Sequence, residues 1–262
     1  MKIAVIGAGN MGGAMARGWA RAFGETSVVV SNPSQGKLDA LKAEFPAIGV
    51  TNDNAAACRE ADIVVLAVKP WKMGEVTAEI RDAVSDRNRI IVSVAAGITP
   101  DEISAMLCVE GGSHPSVVYA IPNTAVSVGK GMIFYTAGDD LDDVSATVEK
   151  LFAPLGICQK VELRQMGAGM AVASCGIAYA MRYIRAAVEG GVELGLRPVE
   201  AQKAVMQTLA GAVALLEADG SHPEQEIDKV TTPGGITIRG LNAMEEAGFS
   251  ASVVKGLRAS KS

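Results

Sequence analysis

Near its start the chain runs a β-rich stretch, Lys2–Ile6, directly into Gly7-Ala8-Gly9-Asn10-Met11-Gly12. This is G-x-G-x-x-G placed after a strand-like segment. Met15, Trp19, Ala22 and Phe23 then recur at helical spacing. In such a strand–turn–helix unit each glycine has its own duty. Gly7 permits the tight turn, Gly9 lets a pyrophosphate approach the backbone, and Gly12 lets the helix pack close to the strand. The helix N-terminus adds unpaired amides and the positive end of a dipole. Gly7, Gly9, Asn10, Met11 and Gly12 are therefore expected to hold a dinucleotide. The alternative is a tight turn and nothing more.

The alternation continues. Strand-like runs lie at Thr26–Val30, Ile63–Val68, Ile90–Val94, Val117–Ile121, Met132–Tyr135 and Ile157–Val161. Helical spacing marks Lys37–Phe45 and Leu141–Leu151, and Thr99-Pro100-Asp101-Glu102 is a capped helix start. The Ile63–Val68 run is almost wholly apolar, as the buried centre of a parallel sheet requires. After about Leu163 the pattern turns helical: Met166–Leu194, Val199–Ala218, Gly234–Glu246 and Ser250–Ala259. The predicted fold class is α/β. A Rossmann-like doubly wound sheet over residues 1–162 precedes an all-α domain over 163–262.

A site for NAD needs an acid at the end of the second strand, to meet a ribose 2′-hydroxyl. Here that strand ends in Val30-Ser31-Asn32-Pro33-Ser34, without a carboxylate. Ser31, Asn32 and Ser34 could donate to a phosphate and Lys37 could add charge. This favours NADP, with NAD as the alternative, although the usual arginine is missing too. Two more loops follow strand ends, Ala67-Val68-Lys69-Pro70 and Ala95-Ala96-Gly97. Their small residues would let ribose and nicotinamide lie against backbone. Lys69 taken alone reads as a solvated surface lysine as readily as a cofactor contact.

Bulk properties exclude several classes. With 49% hydrophobic residues in a chain of 262, a sizeable core is expected and disorder is not. A net charge of −5 argues against nucleic acid as a partner. Cys58, Cys108, Cys158 and Cys175 are scattered, with no metal-binding spacing, and read as buried free thiols. The N-terminal run passes at once into glycines, unlike a secretory signal. Arg182, Arg185, Glu189 and Glu193 interrupt the most apolar long segment, so no membrane span is expected. The protein reads as soluble and cytoplasmic.

The segment Val230–Glu245, VTTPGGITIRGLNAME, sets two glycines ahead of a helical stripe of Ile238, Leu241 and Met244. With Pro233 at the first helical position, the amides of Gly234, Gly235 and Ile236 would stay unpaired, and a carboxylate could reach them. Thr237 would add a hydroxyl beside that anion. The residues alone leave this open against an ordinary glycine-softened helix start.

Together these motifs resemble the pyrroline-5-carboxylate reductase family. The likeness runs through IAVIGAGNMGGAMARG, LAVKP, SVAAGIT, PNT, EGGVELGL, HP and VTTPGGITIRGLNAMEEAGF, over essentially the whole chain. It implies NADPH-dependent reduction of the C=N bond of 1-pyrroline-5-carboxylate to L-proline. It further implies a substrate carboxylate on Gly234, Gly235 and Ile236, with Thr237 reaching the ring nitrogen as the catalytic group. The helical domain becomes a dimerisation domain, and the substrate pocket forms at a dimer interface. Rings of five dimers are common in the family. Asn54 and Asn123 fall where the family has cofactor contacts, and Gly176 belongs to its substrate element. That element departs from the family's Ser-Gly-Ser-Gly-Pro-Ala-Tyr. Here it reads Ala173-Ser174-Cys175-Gly176-Ile177-Ala178-Tyr179. The family's arginine before PNT is also replaced, around Tyr119. The alternatives are a reductase of a related cyclic imino acid or ketone, and a non-catalytic NADP-binding regulator. A chain holding only His114 and His222 suits imine reduction, which needs no histidine base.

Overall fold

A computed structural model describes residues 1–85, 89–110, 115–137 and 142–261. The chain divides into two compact units, Met1–Ser174 and Cys175–Ser262.

The first unit is built on eight strands: β1 Ile3–Ile6, β2 Val28–Ser31, β3 Gly49–Thr51, β4 Ile63–Leu66, β5 Ile90–Ser93, β6 Ser116–Pro122, β7 Gly131–Thr136 and β8 Gly156–Lys160. Their order in the sheet is β3-β2-β1-β4-β5-β6-β7-β8. The first six run parallel, β7 pairs antiparallel with β6, and β8 runs parallel to β7. Helices α1 Asn10–Phe23, α2 Gln35–Glu44, α3 Asn54–Cys58, α4 Met73–Val84, α5 Pro100–Leu107 and α6 Asp142–Phe152 cover both faces.

Strand periodicity explains why two cores form. Alternate residues of one strand face opposite sides. Ile3, Val5, Ile63 and Val65 join the core against α1, α2 and α6. Ala4, Ile6, Val64 and Leu66 join the one against α3, α4 and α5. A strand buried on both faces must be apolar throughout, as β1 and β4 are. Trp19 anchors the first core. It is fully buried, lies 5.9 Å from the Phe152 ring and donates its indole N–H to the Leu151 carbonyl at 2.7 Å.

Several sequence expectations need correction. Thr26 and Ser27 belong to a short 3-10 turn, because the Ser27 hydroxyl donates to the Phe23 carbonyl and prolongs the helix end. Residues 67 and 68 leave the sheet after Leu66. The predicted start at Leu141 lies outside the described residues, as does His114. Met166–Leu194 is not one regular helix. It comprises α7 Met166–Gly169, a π-helical stretch Met170–Cys175 and α8 Gly176–Glu193. Polar anchors accompany the wider turn. The Ala173 carbonyl accepts from Asn123 Nδ2 at 3.4 Å, and the Ser174 hydroxyl donates to the Pro122 carbonyl at 3.1 Å. Of the four cysteines, none in a disulfide, Cys58 is buried, Cys158 and Cys175 are half-buried, and Cys108 is exposed at the end of α5. Burial pushes the Cys58 and Cys158 thiols up to about 12, so both stay protonated at neutral pH.

The second unit holds α8, α9 Pro198–Asp219, α10 Pro223–Val230, α11 Ile236–Glu246 and α12 Phe249–Ala259. Tyr179 of α8 donates to the Gly256 carbonyl of α12 at 3.3 Å and meets the Ser260 hydroxyl, while Tyr183 and Phe249 pack edge-on. Yet α8, α10, α11 and α12 contain no buried residue, and α9 only Ala201. Val199, Val213, Met181 and Phe249 all stand exposed. No helix of the described residues is long and apolar enough to cross a membrane.

Trp19→Ala should cost about 3–5 kcal/mol of unfolding free energy, from lost burial and a stranded Leu151 carbonyl. Urea denaturation checks this, and a loss below about 1 kcal/mol would contradict the anchoring role.

Candidate functional site

Parallel pairing brings the C-terminal ends of β1, β2, β4, β5 and β6 to one edge of the sheet, where ligands bind in such folds. The glycine turn leaves β1 there. Gly7 has φ +107°, and a β-carbon on it would stand 2.6 Å from the Ala67 carbonyl oxygen. At Gly12 it would lie 2.0 Å from the Gly7 carbonyl oxygen and 2.9 Å from the Ala67 β-carbon. Both glycines are thus demanded by the protein's own packing. Gly9 differs: its φ is −70°, and a β-carbon would meet nothing within 4 Å. The space beside Gly9 is what a close-approaching pyrophosphate needs.

The amides of the turn can be accounted for one by one. Gly7 N–H donates to the Ser31 carbonyl at 2.8 Å, and Ala8 N–H to Asn32 Oδ1 at 2.9 Å. The first helical bond of α1 runs from Gly13 N–H to the Gly9 carbonyl at 2.8 Å, and no side chain caps Gly9. The helix therefore leaves the amides of Asn10, Met11 and Gly12 to an incoming anion. The residues present fit a dinucleotide pyrophosphate.

Ser31 and Asn32 act differently from expectation. Asn32 is buried; besides holding Ala8, it donates through Nδ2 to the Ser34 carbonyl at 3.2 Å and accepts at its own carbonyl from Asn52 at 2.8 Å. The Ser31 hydroxyl donates to Asn54 Oδ1 at 2.7 Å, and Asn54 Nδ2 reaches Glu79. The side-chain donors of Ser31 and Asn32 are committed to bracing the turn, so they are not phosphate donors in this structure. The capping side chain of α3 is Asp53, which accepts from Ala56 N–H.

The other loops sit at the same sheet edge. The Lys69 ammonium lies 5.9 Å from the Trp71 ring centre, with that ring largely exposed. Gly97 has φ +82°, and its N–H donates to the Tyr119 hydroxyl at 3.4 Å. Burial pushes the Tyr119 phenol up, against the pull of the Gly97 amide, and keeps it neutral. Tyr119 is a loop support that sequence reading missed. Asn123 is mostly structural: its Oδ1 accepts from Ala125 and Met132 amides, and its Nδ2 holds the π-helical carbonyl. The largest cavity, about 1060 Å³ between Ser104, Thr136 and Lys160, contains none of the expected site residues. A cleft of about 410 Å³ does border the glycine turn, at Ala8, Gly9 and Asn10.

In the second unit the VTTPGG segment folds as a turn before the helix, not within it. Gly235 is the N-cap of α11, Gly234 has φ +70°, and Gly235 N–H donates to the Thr232 carbonyl at 2.9 Å. Pro233 therefore lies ahead of the first helical position, and the Gly235 amide is already used. The first-turn amides belong to Ile236, Thr237 and Ile238, with Ile236 and Thr237 exposed. A β-carbon on Gly235 would sit 2.6 Å from the Thr232 hydroxyl oxygen, so both glycines serve the turn. His222 caps α10, accepting at Nδ1 from Glu224 N–H at 3.3 Å. Gly176 is the first residue of α8, just after the π-helical stretch. Among the described residues no His, Cys, Asp and Glu grouping could hold a metal ion.

Gly9→Ala should leave unfolding free energy within about 1 kcal/mol of wild type yet weaken dinucleotide binding at least about tenfold. Gly12→Ala should destabilise the fold itself. Calorimetric titration with denaturation separates the two, and unchanged binding in Gly9→Ala would contradict the pyrophosphate assignment.

A family model described as pyrroline-5-carboxylate reductase dimerisation matches residues 164–262, and one described as NADP oxidoreductase, coenzyme F420-dependent, matches residues 2–97. Pyrroline-5-carboxylate reductase 2 of Dictyostelium discoideum is 34% identical over 97% of this chain and 89% of its own length. Among solved structures, a pyrroline-5-carboxylate reductase from Coxiella burnetii is similar at a TM-score of 0.88 and 29% identity, covering 99% of this chain and 95% of that one. The Plasmodium falciparum pyrroline carboxylate reductase, crystallised with NADP bound, matches at a TM-score of 0.86 and 27% identity over the same shares. Its glycine turn, its sheet and its near full-length kinship agree: the chain belongs to the pyrroline-5-carboxylate reductase family.

Proposed function

We propose that this protein reduces the C=N bond of 1-pyrroline-5-carboxylate with NADPH, giving L-proline. The observation that carries the reading is the glycine turn, whose three spare amides and open space at Gly9 suit a pyrophosphate in a chain of this family. When bound, NADPH supplies the hydride. The chain's residues hold, orient and shield. Residues 1–162 act as the cofactor-binding part and 163–262 as the substrate-binding and dimerisation part.

Asn10, Met11 and Gly12 take the pyrophosphate on their amides. Ala67–Pro70 and Ala95–Gly97 offer backbone to ribose and nicotinamide, and Tyr119 keeps the second loop in place. Asn54 and Asn123 support the same sheet edge. The end of α11 binds the substrate carboxylate through first-turn amides, with Gly234 and Gly235 shaping the turn that exposes them. Thr237 hydrogen-bonds the ring nitrogen and helps hold its proton, and Gly176 lines the substrate side. The apolar faces of α8 to α12, open within one chain, cover one another in a homodimer; rings of five dimers are the larger assembly. The partner molecule is a small cyclic imino acid, not nucleic acid or membrane, and the enzyme works in the cytoplasm.

Cys175 and Ile177 replace a serine and a proline of the family's substrate element, which favours as second reading a related cyclic imine. The test mixes purified protein, NADPH and pyrroline-5-carboxylate and follows loss of reduced-cofactor absorbance. Rapid loss supports the first reading, loss only with other imines the second, and binding without turnover would contradict both. Thr237→Ala should lower kcat by about a hundredfold while moving the cofactor Kd by less than about twofold. An unchanged kcat would remove Thr237 from the mechanism.

A further inference from the structure

The cleft that borders the glycine turn runs between α1 and α2. Gly9, Asn10, Gly13, Arg17 and Arg21 line it from α1 and its cap, and Lys37 from α2. Arg17 folds back along its helix: Nη1 donates to the Gly13 carbonyl at 3.1 Å and Nε to Glu44 Oε2 at 2.6 Å. Arg21 takes the other Glu44 oxygen at 2.6 Å and lies over the Phe45 ring. One carboxylate thus answers two guanidinium groups. Arg17 first, then Arg21, hold the Glu44 carboxyl below the usual carboxylate range, so it is ionised at neutral pH. With Lys37 added, the cleft keeps two positive charges in excess.

That excess matches a phosphate monoester, which carries nearly two negative charges at neutral pH. The end of β2, where a 2′-phosphate is ordinarily met, has no side-chain donor to spare in Ser31 or Asn32. Discrimination between the two dinucleotides must then come from nearby groups. Arg17 stands one helical turn beyond Gly13, with its guanidinium directed back toward the cofactor end of α1, and a planar fork suits phosphate oxygens. We propose that this cleft receives the 2′-phosphate of NADPH, with Arg17 as the specificity-determining residue, Lys37 as its second cation, and Glu44 as the carboxylate that places Arg17. The inference takes its ligand from the reductase reading above.

The test is equilibrium binding, by quenching of protein fluorescence, of NADPH and of NADH to the full-length protein without substrate. Wild type should prefer NADPH. Arg17→Met should weaken NADPH by about tenfold or more and NADH by less than about twofold, since one charge-assisted bond is lost. Glu44→Gln should act in the opposite direction, tightening NADPH and leaving NADH alone, and its folding is checked by thermal denaturation. Adenosine 2′,5′-bisphosphate should displace NADPH far better than 5′-ADP does. Inorganic phosphate should compete with NADPH and not with NADH. Equal weakening of both dinucleotides by Arg17→Met, no gain in Glu44→Gln, or phosphate competing equally with both would each overturn the assignment. A wild type that binds both alike would overturn it while leaving imine reduction intact. An NADPH preference without imine turnover would do the reverse, and a chain binding neither dinucleotide would end both.

Discussion

One hydrogen bond decides what the glycine turn can offer. The Ala8 amide is taken by the buried Asn32 side chain, and the Gly7 amide by the Ser31 carbonyl. These bonds tie the turn to the end of the neighbouring strand. They stop the two amides just before the helix from competing for a ligand, and they leave three amides at the head of α1 with no partner within the helix. Everything ascribed to the cofactor side depends on this division. The close packing of Gly7 and Gly12 against residue 67 serves it too, because a displaced turn would lose both bonds.

The division also relocates a task. A sidechain that braces a loop cannot also read a phosphate, so the polar end of β2 is occupied with architecture. Ser31, Asn54 and Glu79 form a chain of such bonds and Asn52 adds another. The excess positive charge lies instead along α1 and α2, where Arg17, Arg21, Glu44 and Lys37 gather beside open volume. In the second unit the situation is reversed. Amphipathic helices bury almost nothing by themselves, as expected of a half-built core that another copy completes.

The larger outline was legible in the residues. Gly7, Gly9 and Gly12 set a strand, a turn and a helix, and the apolar runs at β4 and β5 marked the sheet centre. The capping box at Thr99 and Glu102 formed as the spacing implied. Short elements escaped: β3 has three residues and α3 five, too few for any period to register. The α10 run was polar enough to pass for a loop, and α4 was left unassigned. The Pro233 reading failed for a local reason. A proline suits both the first helical position and a turn just ahead of one, and the positive φ of Gly234, invisible in composition, selects the turn. Side-chain commitments such as Asn32 to Ala8 join residues far apart in sequence, so no local pattern announces them.

The most direct test of this account is an NMR titration of nitrogen-labelled protein with NADP, following individual backbone amides. The amides of Asn10, Met11 and Gly12 should shift strongly and become protected from exchange. Those of Gly7 and Ala8 should already be protected in the free protein and move little. Spectra in which Ala8 is unprotected until ligand arrives, or in which the head of α1 does not respond, would contradict it.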